Sequence, residues 1–369
     1  MRMTVLVAIL VTTLAPLRAS AQFTPFEVAL ARFDAEVAAG VAEDAGGAVS
    51  LAVFSGSEVI WAKGYGWANI EERVAADART IGRTGSISKS FTAVLMMQLV
   101  ERGIIALDDP VSHYFPEIEG LVERPSGARP ITFRMLASHT AGLAREPGLP
   151  GAASGSIYTW EEKVLASIPT TRYQTAPLTE YSYSNIGFGM LGLALSRAAG
   201  VPFMDLVETL IFQPLGMESS TFILDSPDLL TRMSVGYTRS RAGGISAEQA
   251  TREHFGRGYK VPNGGVYSTV RDLAALAAAL MGEGDVQILN EESRSEMFKP
   301  QAPATGYGLG LSLSRSAGGA LFVGHGGSVA GYNAFLVFDP ETKLGVSILR
   351  TTTYNPPVTR LLSQLIASP

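Results

Sequence analysis

The chain of 369 residues has no cysteine. Disulfides, thiolate metal sites and a lipid-modified Cys after a leader are therefore excluded, and the fold must be held by its core alone. Lysine is scarce: Lys63, Lys89, Lys163, Lys260, Lys299 and Lys343 are the full set. The net charge is −5 and no block of like charges occurs. This argues against a nucleic-acid partner, which would usually leave a basic patch. His113, His139 and His254 show no metal-ligand spacing with one another or with acids, so no metal is expected. No organic cofactor is expected either. Gly187-Phe188-Gly189-Met190-Leu191-Gly192 matches G-x-G-x-x-G, but it follows no apolar strand and lies outside any βαβ pattern. Those glycines are read instead as allowing close helix packing.

What is present points to a packed globular protein: 46% hydrophobic against 17% charged residues, with a length that suits two intimate domains. Residues 1–21 read as an export signal. Met1-Arg2-Met3 is a short basic start, Thr4 to Leu17 an apolar run too short for a bilayer span, and Ala19-Ser20-Ala21 a small-x-small cleavage pattern. No later segment is long and apolar enough to span a membrane. The expected location is the periplasm or the exterior.

Phe26 to Glu43 has helical apolar spacing, and Ala48 to Phe54 and Glu58 to Ala68 read as a hairpin across Ser55-Gly56-Ser57. Ser86 to Arg102 is a strongly apolar helix. The acidic pair in Asp108-Asp109-Pro110 reads as turn and cap chemistry, not a catalytic dyad. The middle of the chain holds short helical stretches separated by Pro and Gly. Thr269 and Asp272 have capping-box spacing. Ala320 to Gly324, Tyr332 to Phe338 and Leu344 to Arg350 read as three strands, followed by a helix over Pro357 to Ala367. A lone hairpin is marginal in water. The expected fold is therefore α/β (α+β): one antiparallel sheet flanked by N- and C-terminal helices, with an inserted mainly helical domain. Residues 22–100 plus 236–369 would form the sheet-containing half and 101–235 the insert, with a cleft between them.

Three constellations carry chemistry. In Gly85-Ser86-Ile87-Ser88-Lys89, Ser86 and Lys89 stand three apart on one helical face. A serine hydroxyl needs a base, and a lysine serves only if desolvation or nearby positive charge lowers its pKa. Lys89 is the one lysine with a serine three positions before it. The bland alternative, a capping serine beside a solvated lysine, suits an isolated S-x-x-K. In Tyr181-Ser182-Tyr183-Ser184-Asn185, the Tyr183 phenol can relay a proton and Asn185 offers a donor and an acceptor to a substrate amide. In Gly324-His325-Gly326-Gly327-Ser328, the glycines permit close approach to the backbone, edge N–H groups suit an oxyanion, and His325 suits a substrate carboxylate or proton transfer.

Together these motifs resemble those of the serine β-lactamase and penicillin-binding protein superfamily, most closely its class C, esterase and D-peptidase branch. Leu136-Ala137-Ser138-His139-Thr140-Ala141-Gly142-Leu143, Gly264-Gly265-Val266-Tyr267-Ser268-Thr269 and Gly306-Tyr307-Gly308-Leu309-Gly310 look familial as well. The likeness covers roughly residues 28 to 366. It implies a β-lactamase/transpeptidase-like fold and acyl transfer: Ser86 attacks an ester, β-lactam or D-residue amide, Lys89 and Tyr183 share the base role, and the Ser86 and Ser328 N–H groups form the oxyanion hole. Asn185, His325, Gly327 and Ser328 would contact substrate, a small acyl compound or a peptidoglycan-like peptide. His325 stands where many β-lactamases carry Lys. A mostly neutral imidazole attracts a carboxylate less strongly, which favours ester or D-peptide substrates. A catalytically silent penicillin- or peptidoglycan-binding protein is the alternative on the same fold.

Overall fold

The computed structural model describes residues 24–44, 46–239 and 244–368. The expected leader, 1–21, lies outside the described residues. Helix α1 (Pro25–Asp44) opens with a reciprocal cap: the Glu27 N–H donates to Thr24 Oγ1 and the Thr24 N–H to Glu27 Oε2. Pro25 takes the first helical position, where no N–H is needed.

The sheet is antiparallel and has seven strands: β1 (Ala48–Ser55), β2 (Glu58–Asn69), β3 (Val74–Ala75), β4 (Ser312–Arg315), β5 (Leu321–Val329), β6 (Tyr332–Phe338) and β7 (Leu344–Arg350). Their order is β3-β2-β1-β7-β6-β5-β4. As expected, the N-terminal hairpin joins the C-terminal strands, with Val49 opposite Arg350 and Ser55 opposite Leu344. β1 is buried on both faces because side chains alternate into two different cores. Val49, Leu51 and Val53 pack with Val346, Ile348, Phe33 and Val37, and with Leu361, Leu362 and Leu365 of a C-terminal helix, α5 (Val358–Ile366). Ala52 and Phe54 point the other way, into the larger core. There helix α4 (Val270–Met281) covers the sheet. Thr269 caps it by accepting the Asp272 N–H, while the Asp272 carboxylate accepts from Ser219 and Ser220 instead of from the Thr269 backbone N–H. Half of the expected capping box is therefore diverted to a tertiary contact.

The larger core is centred on two helices, α2 (Ser88–Glu101) and α3 (Asn185–Ala199). Every residue of α2 from Ser88 to Leu99 is buried, so it has no wet face, as befits a helix enclosed by other elements. The glycines of α3 do what was expected of them. A Cβ on Gly189 would come within 3.1 Å of Tyr259, and one on Gly192 would collide with Pro262. The segment 258–264 thus packs against α3. The acidic turn behaves as a turn: Asp109 accepts the Ala106 N–H and Asp108 pairs with Arg134.

Candidate active site

The site forms where the N-terminus of α2, the loop leading into α3 and the free edge of β5 converge. β4 pairs with β5 only as far as Gly324. The rest of β5, His325 to Val329, lies against the turn Gly85–Ile87. Glycine is required on both sides of this contact. Gly85 has φ +52°, and a Cβ there would stand 2.8 Å from Ser328 N. A Cβ on Gly327 would collide with Thr84 O and lie 3.0 Å from Ser86 N. The Ser86 and Ser328 amides are thereby brought beside one cleft. The turn is braced from behind: the Thr84 N–H donates to Val266 O, the Val266 N–H donates to Ser88 Oγ, and Gly82–Arg83 pairs with Tyr267–Ser268.

Lys89 is completely buried, and its Nζ has three neighbours: Ser86 Oγ at 3.1 Å, Asn185 Oδ1 at 2.8 Å and Asn263 O at 3.3 Å. Among the described residues no carboxylate pairs with it directly. Burial, followed by the positive charges of Arg145, Lys260 and Arg257, pushes its pKa well below the usual lysine range, and Glu146 opposes that shift. The Tyr183 ring lies 4.7 Å from Lys89 Nζ and 4.8 Å from the Arg145 guanidinium. Burial raises the Tyr183 pKa; a hydrogen bond with Ser86 and the charge of Arg145 work against that rise. His139, in the left-handed region at φ +61°, stacks its ring 4.2 Å from that of Tyr183 and accepts the Ser184 N–H at Nδ1.

Two of the expected substrate-contacting residues are engaged within the protein. Asn185 gives its oxygen to Lys89 and its Nδ2 to Glu146 at 2.7 Å. His325 is buried, with Nδ1 2.6 Å from Gly326 O and Nε2 2.9 Å from the Tyr307 hydroxyl. A carbonyl can only accept, so Nδ1 carries the proton and Nε2 accepts from Tyr307. Burial and then the charge of Lys89 push the His325 pKa down to about 3. A carboxylate-binding role for His325 would require at least one of these bonds to be exchanged. Gly327 and Ser328, by contrast, line the open cavity beside Ser86. Its volume is about 560 Å³, and its wall includes Arg145, Tyr183, Asn333 and Arg350. Sequence reasoning missed Arg145, Glu146 as a site residue and Asn263. The first two stand two and three residues beyond the segment ending at Leu143, and that position is the only signal for them.

The beta-lactamase family model matches residues 33–368. The chain belongs to that family. It is 29% identical over 313 residues to Beta-lactamase-like protein 4 of Dictyostelium discoideum, covering 78% of this chain and 54% of that protein, so it spans about half of that relative's length. It is 27% identical over 329 residues to the D-alanyl-D-alanine-carboxypeptidase/endopeptidase AmpH of Escherichia coli K12, covering 85% of this chain and 80% of that one. Among solved structures, the octameric penicillin-binding protein homologue of Pyrococcus abyssi superposes with a TM-score of 0.74 at 27% identity over 92% of this chain and 76% of that one. The D-amino acid amidase of Ochrobactrum anthropi SV3 shares the fold, with a TM-score of 0.75 at 23% identity over 92% and 98% of the two chains. The chain therefore has the fold of the serine β-lactamase and penicillin-binding protein superfamily.

Proposed function

We propose that this beta-lactamase family member is an exported serine hydrolase that works through an acyl-enzyme on Ser86, acting on esters, β-lactams or D-residue amides. The observation that carries the reading is the surroundings of Lys89. A neutral amine has two N–H groups and one lone pair. Asn185 Oδ1 and Asn263 O accept the two N–H groups, which leaves the lone pair for the Ser86 hydroxyl at 3.1 Å. Burial among cations favours that neutral form. Lys89 takes the Ser86 proton as Oγ adds to the carbonyl carbon. The Ser86 and Ser328 N–H groups face the developing oxyanion. Tyr183, kept as a phenol, lies beside Ser86 to hand its proton to the leaving group and recover the one Lys89 took, and water then hydrolyses the acyl ester and restores the Ser86 hydroxyl. The names of the relatives, a D-alanyl-D-alanine carboxypeptidase and a D-amino acid amidase, support the amide end of the substrate range.

The test pairs wild type with Ser86→Ala on a short chromogenic ester and a chromogenic cephalosporin, with intact-mass detection of the acylated protein. Turnover and acyl adduct should both vanish in the variant while its melting temperature stays unchanged. Full activity in Ser86→Ala would sink the proposal, and wild-type protein that binds without turning over would favour the silent binding protein. Export rests on the pattern of residues 1–21 and is checked by the N-terminal residue of the mature protein, expected near position 22.

A further inference from the structure

Glu146 sits just outside the constellation described above and touches it at one decisive point. Its Oε1 accepts the Asn185 Nδ2–H at 2.7 Å and the Lys260 ammonium at 3.2 Å, while Tyr259 donates to its other oxygen. An Asn side chain is nearly symmetric in shape, with a donor at one end and an acceptor at the other. Lys89 by itself does not select an end, because a neutral amine can donate or accept. A carboxylate can only accept. It forces the NH2 of Asn185 toward itself and so the oxygen toward Lys89. With Asn185 reversed, its NH2 would face Nζ and compete with Ser86 for the lone pair. The neighbouring residue braces the same segment: Arg145 O accepts the Asn185 N–H at 2.8 Å, and the Arg145 guanidinium covers Tyr183.

We propose that Glu146 is a positioning residue for the proton transfer from Ser86, acting through Asn185 to keep the lone pair of Lys89 on the serine; this rests on the acyl-enzyme reading above. The charge of Glu146 contributes as well. Arg145, Lys260 and Arg257 act on Lys89 from one side of the balance and Glu146 from the other, while the other titratable groups facing the site, Tyr183, His139 and His325, are held neutral by burial. Without the carboxylate, Lys89 loses a proton more readily still and becomes a weaker base.

The rival explanation is a purely structural staple between the loop at 146 and residues 259–260. The experiment measures ester hydrolysis by the full chain across about pH 5 to 10 for wild type, Glu146→Gln, Glu146→Asp, Asn185→Ala and the Glu146→Gln/Asn185→Ala double variant. Active sites are titrated with a fluorophosphonate, so that any misfolded fraction drops out. Glu146→Gln should lower kcat about ten- to hundred-fold, with KM little changed. The acidic limb of its kcat/KM profile should move to lower pH, and Glu146→Asp should recover part of the loss. In the Asn185→Ala background the Gln substitution should cost less than about two-fold, because its effect travels through Asn185. Losses that multiply in the double variant, or an unmoved acidic limb, would overturn the proposal. Ser86→Ala runs alongside. If it retains turnover, the acyl-enzyme reading itself fails; if it is dead while Glu146→Gln is fully active, only the positioning role fails.

Discussion

Replacing Gly327 with Ala adds one methyl group at the tightest point of the site, and its effect follows from what that methyl meets. The clash is with Thr84 O and, at 3.0 Å, with Ser86 N. Both are backbone atoms in a braced turn, not the ends of flexible side chains. Relief therefore requires the edge of β5 to move away from the turn by on the order of 1 Å, in a core too dense to yield elsewhere. Ser328 is the next residue, and its N–H moves with the edge. Loss of one oxyanion donor costs about 10²–10³-fold in kcat, roughly 2.7–4 kcal/mol of transition-state stabilisation. The price in stability is smaller, about 1–3 kcal/mol for overpacking. Gly326 is an internal control: its added Cβ would meet only the Phe335 ring, at 3.5 Å. The assay is kcat for a chromogenic ester, corrected by active-site titration, with thermal melting alongside. Gly327→Ala should lose at least about 10²-fold, and Gly326→Ala less than about three-fold. Equal behaviour of the two variants, or near-normal kcat in Gly327→Ala, would refute the placement of the oxyanion hole at this contact.

Two further expectations concern protons. The pKa of Lys89 is lowered in the fold, so over the range between that value and 10.5 the unfolded chain binds a proton that the native chain does not. Its contribution to stability therefore grows as pH rises through that window. Lys89→Met should flatten the rise in urea-unfolding free energy from neutral to alkaline pH; an unchanged slope would mean that Lys89 is protonated in the fold. His254 is pushed down to about 4 by burial and then by Arg83, while accepting from Tyr267 and bonding to Tyr332. Below pH 6.5 the unfolded chain gains a proton that the fold refuses, so stability falls toward pH 4 by on the order of 3 kcal/mol. His254→Gln should show a smaller difference in unfolding free energy between pH 7 and pH 4, and an equal or larger one would contradict this account.

Much of the architecture was legible because local chemistry and tertiary structure agree. The β1–β2 hairpin, the strands Tyr332–Phe338 and Leu344–Arg350, the Thr269 cap and the close-packing glycines of α3 all stand where periodicity and turn residues put them. β5 was read only to Gly324 and in fact runs to Val329. Its Gly-rich end has no strand propensity of its own and is held extended by β6 on one side and the Gly85–Ile87 turn on the other. The two-residue strand Val74–Ala75 and β4 were missed for a similar reason: each is short and makes sense only as an edge added to a sheet already present.

Residue order and composition alone place a serine one helical turn from a lysine, rule out thiol chemistry and group glycines where backbones meet. Only the tertiary structure decided that Lys89 lies buried among Arg145, Lys260 and Arg257 with two oxygens for its N–H groups, that His325 turns away from the cavity toward Tyr307, and that Asn185 is held by Glu146. Spacing along a chain sets which side chains share a helical face. A proton's affinity depends on the dielectric and charges around it, and those come from segments far apart in the chain: Asn263, which accepts from Lys89, is 174 residues away.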